Sequence, residues 1–166
     1  MINSSQKTKL LVLNGLIAAM YVALSLISPF SQGAIQLRIS ESLNHIVVFN
    51  KKLMWGVVGG VVTYNLLFAE FGLVDVLFGG GQTLLALSLT VLISKYVTDV
   101  KKRMILNTLF FTISMALIAL MLHLLADLPF WLTYTSTAAS ELIIMTLTAP
   151  IMYLVGRTLK LETIID

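Results

Sequence analysis

Leu37-Arg38-Ile39-Ser40-Glu41-Ser42-Leu43-Asn44-His45-Ile46-Val47-Val48-Phe49-Asn50-Lys51-Lys52 is the stretch whose reading decides the fold. Its apolar run, Ile39 to Asn50, is interrupted by Glu41, Asn44 and His45 and closed by two lysines. As an α-helix the run spans roughly 18 Å, short of the ~30 Å hydrocarbon core of a bilayer. Whether it crosses decides on which side Lys51 and Lys52 lie, and so inverts or preserves every later loop.

The surrounding chain is 166 residues long, 58% hydrophobic and only 11% charged. A water-soluble domain carries about 25% charged residues, because its surface must be solvated. A surface this poor in charge faces lipid. Each crossing needs about 20 apolar residues, and roughly 100 to 110 residues lie in apolar runs, which predicts five or six spans and no folded domain outside the membrane. A net charge of +3 is then a matter of placement and not a nucleic-acid signal. Cysteine is absent, which excludes disulfide and thiolate-metal chemistry. Strand-like alternation over about ten residues does not recur, which argues against a transmembrane barrel.

Six runs emerge. The first covers Leu10 to Ile27 and stops at Ser28-Pro29, where proline removes a donor and restrains the residue before it. Ser28-Pro29-Phe30 is a poor cleavage site, so this segment is expected to be retained. A loop, Phe30 to Leu37 with Gly33, leads to the short second run. The third is Leu53 to Ala69. A loop carrying Glu70, Gly72 and Asp75 precedes the fourth, from about Leu77 to Ile93. The fifth is Met104 to Ala126, and the sixth about Tyr134 to Val155, with Glu141 and Pro150 inside it.

Charge placement settles the doubtful run. With six crossings and the N-terminus inside, Lys7, Lys9, Lys51, Lys52, Lys95, Lys101, Lys102, Arg103, Arg157 and Lys160 are cytoplasmic, ten of the eleven basic residues. Only Arg38 is outside. Cytoplasmic excess of Lys and Arg orients membrane helices, so the second run is expected to cross. The expectation is an all-α membrane protein, about six transmembrane helices in one bundle over residues 1–166, with both termini cytoplasmic. Glu41, Glu70, Asp75, Asp127 and Glu141 fall in the outer half, marking either an outward polar site or loops that need solvation.

An ionisable group inside a span is a functional candidate, because its burial is costly unless it is paired or lines a cavity. Glu141, about seven residues into the sixth run, is the strongest. Glu41 and Asn44 share a face of the second run, with Arg38 one turn earlier as a ligand contact or a structural partner of Glu41. Asn65, Asp75 and Gln82 lie at the same level. Phe71, Phe78, Phe130, Trp131 and Tyr134 gather at the outer interface, as an aromatic belt or, for Trp131, as a platform for a flat ligand. Ala19 and Ala23, with Gly15 one turn before, form a small-xxx-small face for close approach of a helix within the chain or of a partner. No metal-ligand spacing and no nucleophile beside a base is visible, which leaves an enzyme reading without support.

These residues carry a resemblance. Leu37-Arg38-Ile39-Ser40-Glu41-Ser42-Leu43, then Asn65 before an acidic turn, Gly72-Leu73-Val74-Asp75-Val76-Leu77-Phe78-Gly79, Thr83-Leu84-Leu85-Ala86, and Ser140-Glu141-Leu142-Ile143 with Ala149-Pro150-Ile151-Met152-Tyr153-Leu154 together resemble the QueT family. Those are queuosine-precursor substrate-binding (S) subunits of energy-coupling factor (ECF) transporters. The sequence departs from the family pattern at Gly79-Gly80-Gly81-Gln82-Thr83 and at Leu43-Asn44-His45-Ile46. The resemblance implies a multi-pass protein of the bacterial plasma membrane, without a cofactor. It would take a 7-deazaguanine on its outer side and work with a transmembrane coupling protein and two cytoplasmic ATPases. Ala19 and Ala23 would touch the coupling protein. The substrate would be held by Glu41 or Glu141, with Arg38, Asn44, Asn65, Asp75, Gln82 and Trp131 around it. The alternatives are an S subunit for another vitamin or nucleobase, and a ligand-free membrane scaffold.

Overall fold

The computed structural model describes residues 3–28, 36–68 and 70–164. Helix α1 runs Ser4–Ile27. It starts six residues before the apolar run because Asn3 caps it: the Asn3 side chain accepts from the Gln6 amide (2.8 Å), and the Gln6 side chain accepts from the Asn3 amide (3.0 Å). Such a reciprocal box satisfies two orphan donors of the first turn. At the other end the Ser28 hydroxyl donates to Leu24 O (2.8 Å) and accepts from the Ile39 amide (3.0 Å). Of the loop expected at Phe30 to Leu37, Gln36 and Leu37 are described. Gly33 and the expected stop at Pro29 lie outside the described residues.

The second run is not a plain α-helix. Ile39–His45 is a 3-10 helix, which continues as the short α2, Ile46–Phe49. A 3-10 helix rises about 2.0 Å per residue against 1.5 Å, so the eleven residues cover about 20 Å. Every residue from Ser40 to Phe49 is buried. Asn50 ends the run in extended backbone and staples it: its side chain accepts from the Lys52 amide (3.1 Å) and donates to Leu161 O (3.0 Å).

A 3-10 turn, Lys51–Leu53, leads into α3, Met54–Phe68; Ala69, the expected end of the third run, lies outside the described residues. Helices α4 (Leu73–Ile93), α5 (Val100–Ala126) and α6 (Phe130–Thr158) complete the chain. Each begins about four residues before its apolar run. Asp75 therefore sits in the first turn of α4 and not in a loop, its carboxylate accepting from the Phe71 amide (2.6 Å). Asp99 caps α5 through the Lys102 amide (2.8 Å), and Pro129 precedes the first residue of α6. Hydropathy marks the apolar stretch, whereas caps mark where the helix starts.

α1 packs on α3, α3 on α4, α4 on α5 and α5 on α6, and the 3-10 segment closes the ring between α6 and α1. α2 extends inward against α4 and α5. Three glycines permit the closest approaches: a Cβ on Gly60 would collide with the Tyr21 side chain, one on Gly79 with the Asn65 amide, and one on Gly156 with the Phe49 ring. α1, α4, α5 and α6 are long and apolar enough to cross a membrane. Leu11, Leu77, Ile113 and Leu147 are among the large apolar side chains on their exposed faces, as lipid contact requires.

Candidate functional site

Inside the ring is a polar chamber between the start of the 3-10 segment, the middle of α4, α5 around Met115 and Ile118, and the first half of α6. About 320 Å³ of space between atoms is lined by Gln36, Arg38, Glu41, Gln82, Thr83 and Glu141, with Val61, Gly79, Met115 and Ile118 as its apolar walls. A second concavity, about 400 Å³ of space between atoms including what is open to the surroundings, adjoins it and shares Gln36, Arg38, Gly79 and Ile118. Its further lining includes Asn65, Glu70, Phe71 and Asp75. Arg38 stands where the two meet, its guanidinium 5.8 Å from the centre of the Tyr64 ring. Two pairs of carboxylates and one guanidinium thus line two adjoining spaces with partly apolar walls, a composition that suits a small-molecule site.

The two deep glutamates differ in their partners. Glu41, 7% exposed, accepts from the Tyr21 hydroxyl on one oxygen and from the Asn44 side-chain amide (2.7 Å) on the other. Tyr21 is wholly buried on α1, and its neighbour one turn on, Ser25, donates to the Ser40 hydroxyl (2.8 Å). Glu141, 3% exposed on α6, has no such support: its Oε1 is buried with no hydrogen-bond partner among the described residues. A buried orphan acceptor is unfavourable by about 1–3 kcal/mol, and one on a residue that lines a chamber suits a ligand's N–H donors. Gln82 is oriented by donating to the Ser114 hydroxyl (2.8 Å), and its Oε1 accepts from Thr83 (3.2 Å).

Of the residues expected from sequence, Arg38, Glu41, Gln82 and Glu141 meet in the first chamber, and Asn65 and Asp75 join Arg38 in the second. Asn65 is held by donating to the Asp75 carbonyl (3.1 Å). Asn44 lies behind Glu41 and lines neither chamber. Trp131 is 74% exposed at the start of α6, edge-on to Phe130, and lines neither chamber. Tyr21, Gln36, Thr83 and Ser114 were not singled out in the sequence. Tyr21 and Ser114 sit inside apolar helices with nothing local to mark them.

His45, the third polar residue of the second run, belongs to a different network. Its ring bonds Met145 O through Nε2 (3.0 Å) and the Asn107 side chain through Nδ1 (3.4 Å), and Thr90 donates to Asn107 Oδ1 (2.7 Å). This chain ties the 3-10 segment to α4, α5 and α6 beneath the chambers. Gly15, Ala19 and Ala23 are all exposed on α1, and among the described residues nothing beyond the helix's own turn lies within 4 Å of a Cβ built on Gly15. Among the described residues, none packs closely on this face at Gly15.

The family described as QueT transporter matches residues 11–157. The queuosine precursor transporter QueT of Lactococcus lactis subsp. cremoris (strain MG1363) is 38% identical over 166 residues, covering 94% of this chain and 97% of its own. No solved structure matches the chain.

Proposed function

The chain belongs to the QueT transporter family, and from that premise we propose that it is the S subunit of an ECF importer that captures a queuosine precursor, a 7-deazaguanine. A transporter of this family is not an enzyme; its site has to bind and release without reacting. The observation that carries the reading is Glu141, a buried carboxylate lining a chamber, with one oxygen lacking a partner among the described residues. A guanine-like edge offers adjacent N–H donors, and a carboxylate accepts two of them at once. Glu41, already engaged by Tyr21 and Asn44, presents the second carboxylate of the same chamber. Arg38 supplies donors for the ligand's carbonyl oxygen, and Gln82, oriented by Ser114, lines the wall of the same chamber. In the second chamber Glu70 and Asp75 would neutralise an aminomethyl cation, with Asn65 beside them.

The reading includes six crossings with both termini cytoplasmic, supported by ten of eleven basic residues falling on one side. On this layout the chambers open outward. Ala19 and Ala23, exposed on α1, would meet the transmembrane coupling protein, and ATP hydrolysis would belong to two cytoplasmic partners. Calorimetric titration of the purified chain with the 7-deazaguanine tests the site. Glu141→Gln should weaken binding by about 10- to 100-fold, since a hydrogen bond to a charged group contributes about 1.5–3 kcal/mol. Unchanged affinity in both Glu141→Gln and Glu41→Gln would sink the assignment. A different co-purifying vitamin, identified by mass spectrometry, would point to an S subunit of another specificity.

A further inference from the structure

A third concavity, with none of the chambers' lining residues, lies on the exposed side of the bundle between α5 and α6. It takes in about 1260 Å³ of space open to the surroundings, and its walls are mostly apolar: Leu109, Leu142, Pro150 and Leu154 around Thr108 and Thr146. The interior chambers are polar; this groove is oily and faces outward from the bundle. Along α6 it extends from Leu142 to Leu154, about 18 Å at 1.5 Å per residue, close to the ~15 Å depth of one hydrocarbon leaflet.

One end of the groove is charged. Lys101 lines it there, with its ammonium 5.5 Å from the centre of the Tyr153 ring, and the Arg157 guanidinium is also 5.5 Å from the same ring. Lys102 and Arg103 follow Lys101 in the first turn of α5. The opposing charges nearby are Glu162, 3.5 Å from Arg157 with both side chains about half exposed, and Asp99, whose carboxylate caps α5. The end stays net positive. An apolar slot one leaflet deep, with cations at the level where headgroups lie, has the shape and charge pattern of a phospholipid.

We propose that the α5–α6 groove binds an anionic phospholipid, its acyl chain along Leu109, Leu142 and Leu154 and its phosphate at Lys101 and Arg157. The inference does not depend on which small molecule the chambers take.

Native mass spectrometry of the full chain, with phosphatidylglycerol and phosphatidylcholine of equal chain length, tests it. The unaltered chain should retain phosphatidylglycerol about tenfold better, as expected for two basic residues of which one is shared with Glu162. Lys101→Gln with Arg157→Gln, both exposed positions, should bring the two lipids level. Thr146→Trp, also exposed, should obstruct the slot and reduce retention of both. Equal retention of the two lipids by the unaltered chain would overturn the proposal, as would retention indifferent to these variants. A dimer that Thr146→Trp dissociates would overturn it too, by giving the groove to a second copy.

Discussion

Replacing Glu141 by methionine should make the ligand-free protein more stable while removing its capacity to bind. Methionine has a similar length and no carboxylate oxygen, so it removes the acceptor that has no partner among the described residues. Relief of one orphaned buried acceptor is worth about 1–3 kcal/mol. For a chain of 166 residues each kcal/mol moves the melting temperature by about 2–4 °C, which gives a rise of roughly 2–12 °C. Binding should fall by about 10²-fold or more, because two charge-assisted hydrogen bonds go at once. Circular dichroism melts of ligand-free protein in detergent measure the first effect, and calorimetric titration the second. Glu41→Met provides the opposite sign: it strands the Tyr21 hydroxyl and the Asn44 amide and should lower the melting temperature. If ligand-free Glu141→Met melts below the unaltered chain, Glu141 holds the fold together and the reasoning fails.

Tyr21→Phe should cost about 1.5–3 kcal/mol of stability yet change affinity less than tenfold, because Asn44 still holds Glu41; equal melts would show the bond to be idle. Gly156→Ala drives a methyl into the Phe49 ring and should destabilise by about 1–3 kcal/mol. Gly15→Ala, with nothing within 4 Å, should not destabilise, and the two melts compared check the packing. Ala19→Trp and Ala23→Trp, on an exposed face, should leave melting and ligand affinity unchanged while co-purification of the coupling protein drops at least tenfold. Retained co-purification would move the partner contact elsewhere.

The apolar runs were legible because lipid demands a long apolar stretch, and that demand leaves few alternatives. The helix starts were harder. Asn3 with Gln6, Asp99 before Val100 and Pro129 before Phe130 were all present as capping signals, but they sit in polar stretches that a hydropathy reading assigns to loops. Glu41, Glu141, Gln82 and Arg38 stood out because polar groups at depth require a reason. Tyr21 did not, since a tyrosine in an apolar helix looks like any other core aromatic until the fold brings it to a carboxylate twenty residues away. Trp131 illustrates the opposite case: an interfacial tryptophan has the same composition whether it faces lipid or ligand. The short second run was the least legible, because a twelve-residue pattern does not distinguish an α-helix from a tighter one.

That tighter coil has a consequence for what the segment can tolerate. With three residues per turn, Ile39–His45 is a three-sided prism and each side is a separate column of the sequence. Arg38, at the mouth of the prism, begins the column that continues through Glu41 and Asn44; Ser40 and Leu43 form the next, and Ser42 and His45 the third. Removing or adding a single residue would rotate every later position by one side, exchanging the column that faces the chamber for one that faces the interior. Spelling can drift along such a prism, one side at a time, but its letter count is frozen.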